Sequence, residues 1–278
     1  MILHPLVNSS WEEQISDIKN HEFSSVDEVE YHCYWDHNIG PNQIVSLLSC
    51  YNTNIRNTKN KIILWTLDKI NPNFEFLKRF CEIRYFDHFS ERKETPLDDY
   101  ILSETLIARP SFYSDYVRYI LLSRYGGIYF DLDIFFFKNF SYLISEYKNF
   151  VYSWGRSEQP NGAIYCTTDK DFLNEYINKL ISYGGSHLGF QDSFGERGDN
   201  QKMLGFQSDI ELNVLPCGWF DAEWIYESDF NKWFRNNNGQ YFYEDTYCYH
   251  WHNRNHLQIE VGSPFHRNIE KLKKDLGF

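Results

Sequence analysis

The sequence predicts an α/β protein built around a mostly parallel central sheet, and three observations carry that expectation. Strand-like and helix-like segments alternate over residues 29–90, the order that βαβ units require. Lys61 to Leu67 is a near-continuous apolar run, the pattern of a strand covered on both faces. Residues 111–125 read as a helix stopped by Gly126 and Gly127, after which an apolar segment from Ile128 to Phe137 reads as a strand.

The elements follow in order. Trp11, Ile15, Ile18 and Phe23 are loosely spaced for a helix, so residues 9–28 form a leading helical element. Val29 to Trp35 is rich in β-formers and is followed by an Asn-Ile-Gly-Pro breaker, which predicts a strand ending near Trp35. Ile44, Leu47, Leu48 and Tyr51 share one face of a short helix over 41–51. Residues 73–80 read as helical and 83–86 as a further strand. Later come strands at 150–154 and 163–166, a helix over 169–182, and a polar, Gly-rich loop over 184–200. The C-terminal third carries mixed signals around Trp219, Trp224, Trp233 and the run Tyr241 to Trp251. No linker marks a second domain, so residues 1–278 read as one domain, with halves at 29–140 and 141–278 behind the leading element.

Composition bounds the function classes. At 278 residues with 42% hydrophobic content, the chain can bury a substantial core. Aromatic residues reach 19%; most serve the core, leaving a few near motifs as platforms for sugar rings or a nucleobase. The net charge of −12 and the lack of a long basic run exclude a nucleic-acid partner, whose binding rests on Lys and Arg neutralising phosphates. Six scattered cysteines without a C-x-x-C pair fit buried thiols in a reducing compartment. No apolar run approaches a membrane span and the N-terminus lacks a signal-type apolar region, so a cytoplasmic protein is expected, with peripheral membrane contact left open.

The densest information lies between Ser114 and Asp133. Asp131 and Asp133 are two apart, so on an extended strand they would share one face. Two converging carboxylates repel unless a cation lies between them, and hard oxygen ligands suit Mg²⁺ or Mn²⁺. Asp115 and Arg118, three apart, share one face of the preceding helix, either as a solvated ion pair or as part of a site.

The combined pattern Ser114-Asp115, Arg118, Gly126-Gly127, Tyr129 and Asp131-Leu132-Asp133 resembles the sugar-binding region, containing a DXD motif, of family 32 glycosyltransferases. It is similar too, with the same spacing, to the catalytic domain of the clostridial large glucosylating toxins. The resemblance implies a GT-A (Rossmann-like) fold with a C-terminal extension. It implies a metal-dependent, retaining enzyme that moves a sugar from a nucleotide-sugar, a UDP-sugar first and GDP-mannose next, to a hydroxyl of a glycan, lipid-linked or protein acceptor. Such a reaction fits glycan or surface-polysaccharide synthesis.

The resemblance also implies roles. Asp133 is the main Mn²⁺ or Mg²⁺ ligand and Asp131 its companion, while Asp115 and Arg118 hold donor-sugar hydroxyls. Trp35 stands where the toxins carry a uracil-stacking tryptophan; the competing reading is a core ring. Tyr129 belongs to the nucleotide-binding set. Asn161 resembles an asparagine that faces the donor sugar, and Asp199 with Gln201 resembles an element near the anomeric centre. Asp199 reads equally as a helix cap. In the run Tyr247 to Asn253, His250 is the first choice for a late metal ligand, with His252 second and assigned to the diphosphate.

Two other readings compete. Haloacid-dehalogenase-type phosphatases also place Asp-x-Asp at a strand end, with the first Asp, here Asp131, as nucleophile. That motif lies on an early strand and continues towards Thr, unlike Ile134-Phe135-Phe136 here. A non-enzymatic carbohydrate-binding module would use the aromatics but leave the carboxylates without a role.

Overall fold

A computed structural model describes residues 1–22, 26, 28–100, 110–155, 160–182, 211–222, 232–236, 242–252 and 258–278. Its centre is an eight-stranded sheet. In chain order the strands are β1 (Ile2–Leu3), β2 (Glu30–Trp35), β3 (Lys61–Thr66), β4 (Glu82–Tyr85), β5 (Gly127–Phe130), β7 (Asn149–Ser153), β8 (Pro160–Thr167) and β9 (Asn213–Leu215). Across the sheet they run β1-β9-β7-β8-β5-β2-β3-β4. Every neighbouring pair is parallel except the two that β8 makes, so β8 alone runs against the rest. The mixed α/β class and the mostly parallel sheet expected from the sequence are therefore the observed architecture. A second, two-stranded sheet pairs β6 (Ile134–Phe136) antiparallel with β10 (Cys248–His250).

Side-chain alternation along the central strands divides the core between the two faces of the sheet. Ile62 and Leu64 of β3, with Ile128 and Phe130 of β5, join one cluster together with α1 (Trp11–Ile18) and α2 (Pro41–Cys50). Ile63, Trp65 and Tyr129 join the other. That second face is covered by α5 (Pro110–Tyr125) and α7 (Lys170–Ser182). The helices between are α3 (Phe74–Leu77), α4 (His88–Glu91) and α6 (Ser141–Tyr147), and α8 (Pro264–Leu276) closes the chain.

The leading helix starts at a capping box. The Ser10 hydroxyl accepts from the Glu13 amide, and the Glu13 carboxylate accepts from the Ser10 amide. Two features differ from expectation at this end. The helix stops at Ile18, and Ile2–Leu3 forms an edge strand paired with Asn213–Val214, so the N-terminus is stitched into the sheet beside residues from the far half of the chain. The helix expected over 73–80 is a single turn, Phe74–Leu77.

The Gly-Gly stop after α5 has a steric cause. Gly126 and Gly127 have φ of +71° and +85°, and a Cβ on Gly127 would lie 2.3 Å from the Glu30 carbonyl oxygen. Only glycine lets the chain turn from helix into β5 while lying this close to β2. All six cysteines are buried and free. Among the described residues no helix is long and apolar enough to cross a membrane.

Candidate active site

The strand expected over 128–137 is broken at its most informative point. β5 ends at Phe130, a turn follows, and β6 begins at Ile134 in the other sheet. Asp131 and Asp133 therefore do not share one face of a continuous strand. They sit in the turn where the chain changes sheets. Leu132, 2% exposed, anchors that turn in the core between them. The backbone fixes both sides: the Asp131 amide donates to the Ala163 carbonyl of β8 at 2.8 Å, and the Asp133 carbonyl accepts from the Trp251 amide at 2.9 Å. Downstream, the Phe136 amide donates to Ser49 Oγ of α2 at 3.1 Å.

The β6–β10 pairing sets His250 opposite Ile134 and so beside Asp133. His250 Nε2 lies 3.2 Å from Asp133 Oδ1. On its other side Nδ1 lies 2.7 Å from the Tyr152 hydroxyl and 3.8 Å from Asp221 Oδ2. His252 lies just past the end of β10, yet its ring stands 3.9 Å from that of His250, and its Nε2 is 2.6 Å from Asp221 Oδ2.

On the face shared by Asp115 and Arg118, Arg118 is buried and Asp115 half-buried, so the pair is not a freely solvated one. α5 hides residues from Tyr116 to Ser123, and Arg118 is 2% exposed among them. Its guanidinium donates from Nη1 to Asp115 Oδ1 at 2.6 Å and from Nη2 to Asp131 Oδ1 at 3.2 Å. It also lies 4.8 Å from the centre of the Tyr129 ring, a cation–π contact. Tyr129 is buried beneath this arginine and supports it. Burial opposes the charge on Arg118, but Asp115 and Asp131 outweigh it and hold the guanidinium more firmly protonated than usual.

Burial raises the Asp131 carboxyl, Arg118 draws it back and Asp133 pushes it up, which leaves it raised to about 6. Burial by itself would lower His250. The Asp133 carboxylate, hydrogen-bonded to it, then Asp221 and Asp131 outweigh that and raise it to about 9.

A cleft of about 220 Å³ opens on this arrangement, lined by Asp115, Arg118, Asp131 and His250 together with Trp154, Asn161 and Gly162. Asn161 Oδ1 is engaged by the Ala163 amide at 2.9 Å, which fixes the carboxamide; its buried Nδ2 has no hydrogen-bond partner among the described residues. Trp35 is half-buried at the end of β2, with Nε1 3.4 Å from the Asn38 carbonyl. It is not part of the cleft wall, although β2 and β5 are parallel neighbours, so Trp35 and Asp131 emerge at the same end of the sheet. Asp199 and Gln201 lie outside the described residues.

Asp131, Asp133 and His250 bring one donor atom each within 4.8 Å of one another, a candidate divalent-metal site. The donor set fits such an ion: two carboxylate oxygens and an imidazole nitrogen, in a pocket where carboxylates outnumber the cationic groups held against them. Asp221, His250 and His252 meet the same criterion, with His250 common to both groups. Sequence reasoning missed Asp221, Tyr152 and Trp154. Trp154, directly after a β-rich run, was within reach of it; Asp221 carries no local signal.

A family model described as "Glycosyltransferase sugar-binding region containing DXD motif" matches residues 45–150. No curated protein sequence matches the chain. Among solved structures, the chain is similar to the PaToxG glycosyltransferase, at 19% identity over 71% of this chain and 79% of that one, with a TM-score of 0.40. It is similar also to the glycosyltransferase GlyE of Streptococcus pneumoniae TIGR4, at 14% identity, 68% and 45% coverage and a TM-score of 0.41. A third, the WbbM bifunctional glycosyltransferase, shows 11% identity, 90% and 52% coverage and a TM-score of 0.49. The chain thus spans about half the length of the latter two. The family match covers α5, both glycines and the Asp131–Asp133 turn, and it leaves the phosphatase and binding-module readings without support. Through residues 45–150 the chain is similar to the DXD-containing sugar-binding region of glycosyltransferases.

Proposed function

We propose that the chain transfers a sugar from a nucleotide-sugar, a UDP-sugar in the first instance and GDP-mannose in the second, to an acceptor hydroxyl, with retention of anomeric configuration. One observation carries this reading: the Asp131–Asp133 turn contacts His250 through Asp133 and the Arg118–Asp115 pair through Asp131, and Asp115, Arg118, Asp131 and His250 line a single cleft. Asp133, Asp131 and His250 would hold Mn²⁺ or Mg²⁺. Such an ion, when bound, offsets the charge that develops on the departing diphosphate.

The remaining steps belong to the side chains. Arg118 is committed to two carboxylates and underpinned by Tyr129, so it holds Asp115 at the cleft wall as an acceptor for donor-sugar hydroxyls. Asn161, which lines the same cleft, offers Nδ2 as a fixed donor. Its preset orientation costs little entropy on binding. Trp35, at the same end of the sheet, supplies a flat surface for the base. Asp115 and Asp131 both pair with Arg118, which makes each a poor nucleophile. Front-face displacement, with the leaving phosphate taking the acceptor proton, fits that arrangement. Asp199, Gln201 and His252 are assigned to the donor from the resemblance. Acceptors of the glycan, lipid-linked or protein class fit equally, and a cytoplasmic location remains the proposal from composition.

A thermal-shift panel of nucleotide-sugars with Mn²⁺ tests the reading, because a donor that binds only the folded state raises its stability by mass action. A UDP-sugar raises the midpoint in Mn²⁺, and Asp133→Ala removes that rise with the fold intact. Full transfer by the Asp133→Ala variant in EDTA would sink the proposal.

A further inference from the structure

The two nitrogens of His250 face different chemistry. Nε2 points to Asp133, and Nδ1 points to Tyr152 at 2.7 Å and Asp221 at 3.8 Å. An imidazole binds a metal through the lone pair of one nitrogen, so the other must carry the hydrogen. The Tyr152 hydroxyl can accept that hydrogen or donate its own, and by itself is indifferent between the two tautomers. A carboxylate on the Nδ1 side is not indifferent: once a cation takes the place of the proton between Nε2 and Asp133, it favours keeping the remaining hydrogen on Nδ1 and so frees the Nε2 lone pair for the metal.

Asp221 is held for this task. It is 1% exposed, its Oδ2 is 2.6 Å from His252 Nε2, and its Oδ1 has no hydrogen-bond partner among the described residues. A buried carboxylate satisfied on one oxygen is an expensive way to fill core volume, since an apolar residue of similar size commonly packs there at no loss of stability. Its cost is understandable where it orders a neighbouring ligand. We infer that Asp221, braced by His252, is a positioning residue that sets the tautomer and orientation of His250, with Tyr152 fixing the ring from the same side. This rests on the proposed use of a divalent metal at Asp131, Asp133 and His250. In it, His252 braces Asp221 through Nε2 rather than ligating the metal, which leaves its Nδ1 for the donor contact assigned to it.

Mn²⁺ binding to the metal-free full chain, without donor, tests this by calorimetry or by the paramagnetic resonance of free Mn²⁺. Asp221→Asn keeps the shape and removes the charge. It weakens Mn²⁺ binding by about 10–100-fold, as loss of an outer-shell partner does. Donor hydrolysis by this variant then returns towards the wild-type rate at saturating Mn²⁺, a recovery that a merely structural lesion would not show. His252→Gln, which loosens Asp221 without deleting it, weakens Mn²⁺ less and carries the test should Asp221→Asn fail to fold. Wild-type Mn²⁺ affinity in the folded variant overturns the inference alone. No Mn²⁺ binding by the wild-type chain overturns the metal reading beneath it, and the inference with it.

Discussion

Replacing Arg118 by Met tests whether the guanidinium is the electrostatic keystone between α5 and the Asp131–Asp133 turn. The change keeps most of the apolar stem and removes one cation from between two carboxylates, with contacts of 2.6 Å to Asp115 and 3.2 Å to Asp131. Removing one partner of a buried ion pair costs about 3–5 kcal/mol, and losing the contact over Tyr129 adds about 0.5–2 kcal/mol. The Asp115 and Asp131 side chains retain 22% and 30% exposure, so water relieves part of this. The lower end, about 3 kcal/mol, is therefore expected. For a chain of this size that corresponds to a midpoint lower by about 6–12 °C. The loss also grows with pH. With Arg118 present the Asp131 carboxyl is raised to about 6, above its unfolded value, so folding favours its protonated form. Without the arginine that preference extends to higher pH, and ionisation is penalised further. Urea denaturation of the metal-free chain at pH 5.5 and 8, with Arg118→Met, Asp131→Asn and the double variant, measures all of this. A coupling of about 1–3 kcal/mol between the two sites is expected. A loss under about 1 kcal/mol with no coupling would refute the argument, because the pair would then be energetically idle.

Other consequences follow from the same structure. Gly127→Ala puts a Cβ 2.3 Å from the Glu30 carbonyl at φ +85°, so it should cost more than the about 1–3 kcal/mol of backbone strain alone and lower soluble yield; a midpoint unchanged in thermal denaturation would contradict the close approach. His32 is fully buried, accepts from Trp65 Nε1 at 3.2 Å, and is lowered to about 3 by burial and then by the charge of Arg84. The unfolded chain takes up a proton near pH 6.5 that the folded chain refuses, so stability falls on acidification by up to about 1.4 kcal/mol per pH unit. His32→Gln should flatten the acid side of the stability curve measured between pH 6.5 and 4.5, and identical slopes would contradict the assignment.

What was legible in the sequence was local. The near-continuous apolar run of β3, the breaker after Trp35 and the double glycine after α5 each announce themselves within a few residues, and the pattern from Ser114 to Asp133 lies within one helix–turn–strand unit. What was not legible depends on distant pairing. Ile134-Phe135-Phe136 has the same β propensity whether it continues β5 or starts another strand, and the choice is made by Cys248–His250, which pair with it from far along the chain. The break at Asp131–Asp133 could not be read without that partner. Ile2–Leu3 is too short for any periodicity and becomes a strand because β9 lies beside it. Asp221 looks like an ordinary loop carboxylate after Trp219-Phe220, and only tertiary packing shows it buried between two histidines.

The central claim is that Asp131, Asp133 and His250 assemble a metal-dependent donor site with Asp115 and Arg118 at its sugar end. Hydrolysis of UDP-sugars by the purified chain in Mn²⁺, beside the same reaction in EDTA and with Asp133→Ala, tests it most directly. The account predicts turnover of at least one UDP-sugar that EDTA abolishes, excess Mn²⁺ restores, and Asp133→Ala lowers by at least about 100-fold while the melting curve stays cooperative. Equal turnover in all three conditions would contradict it.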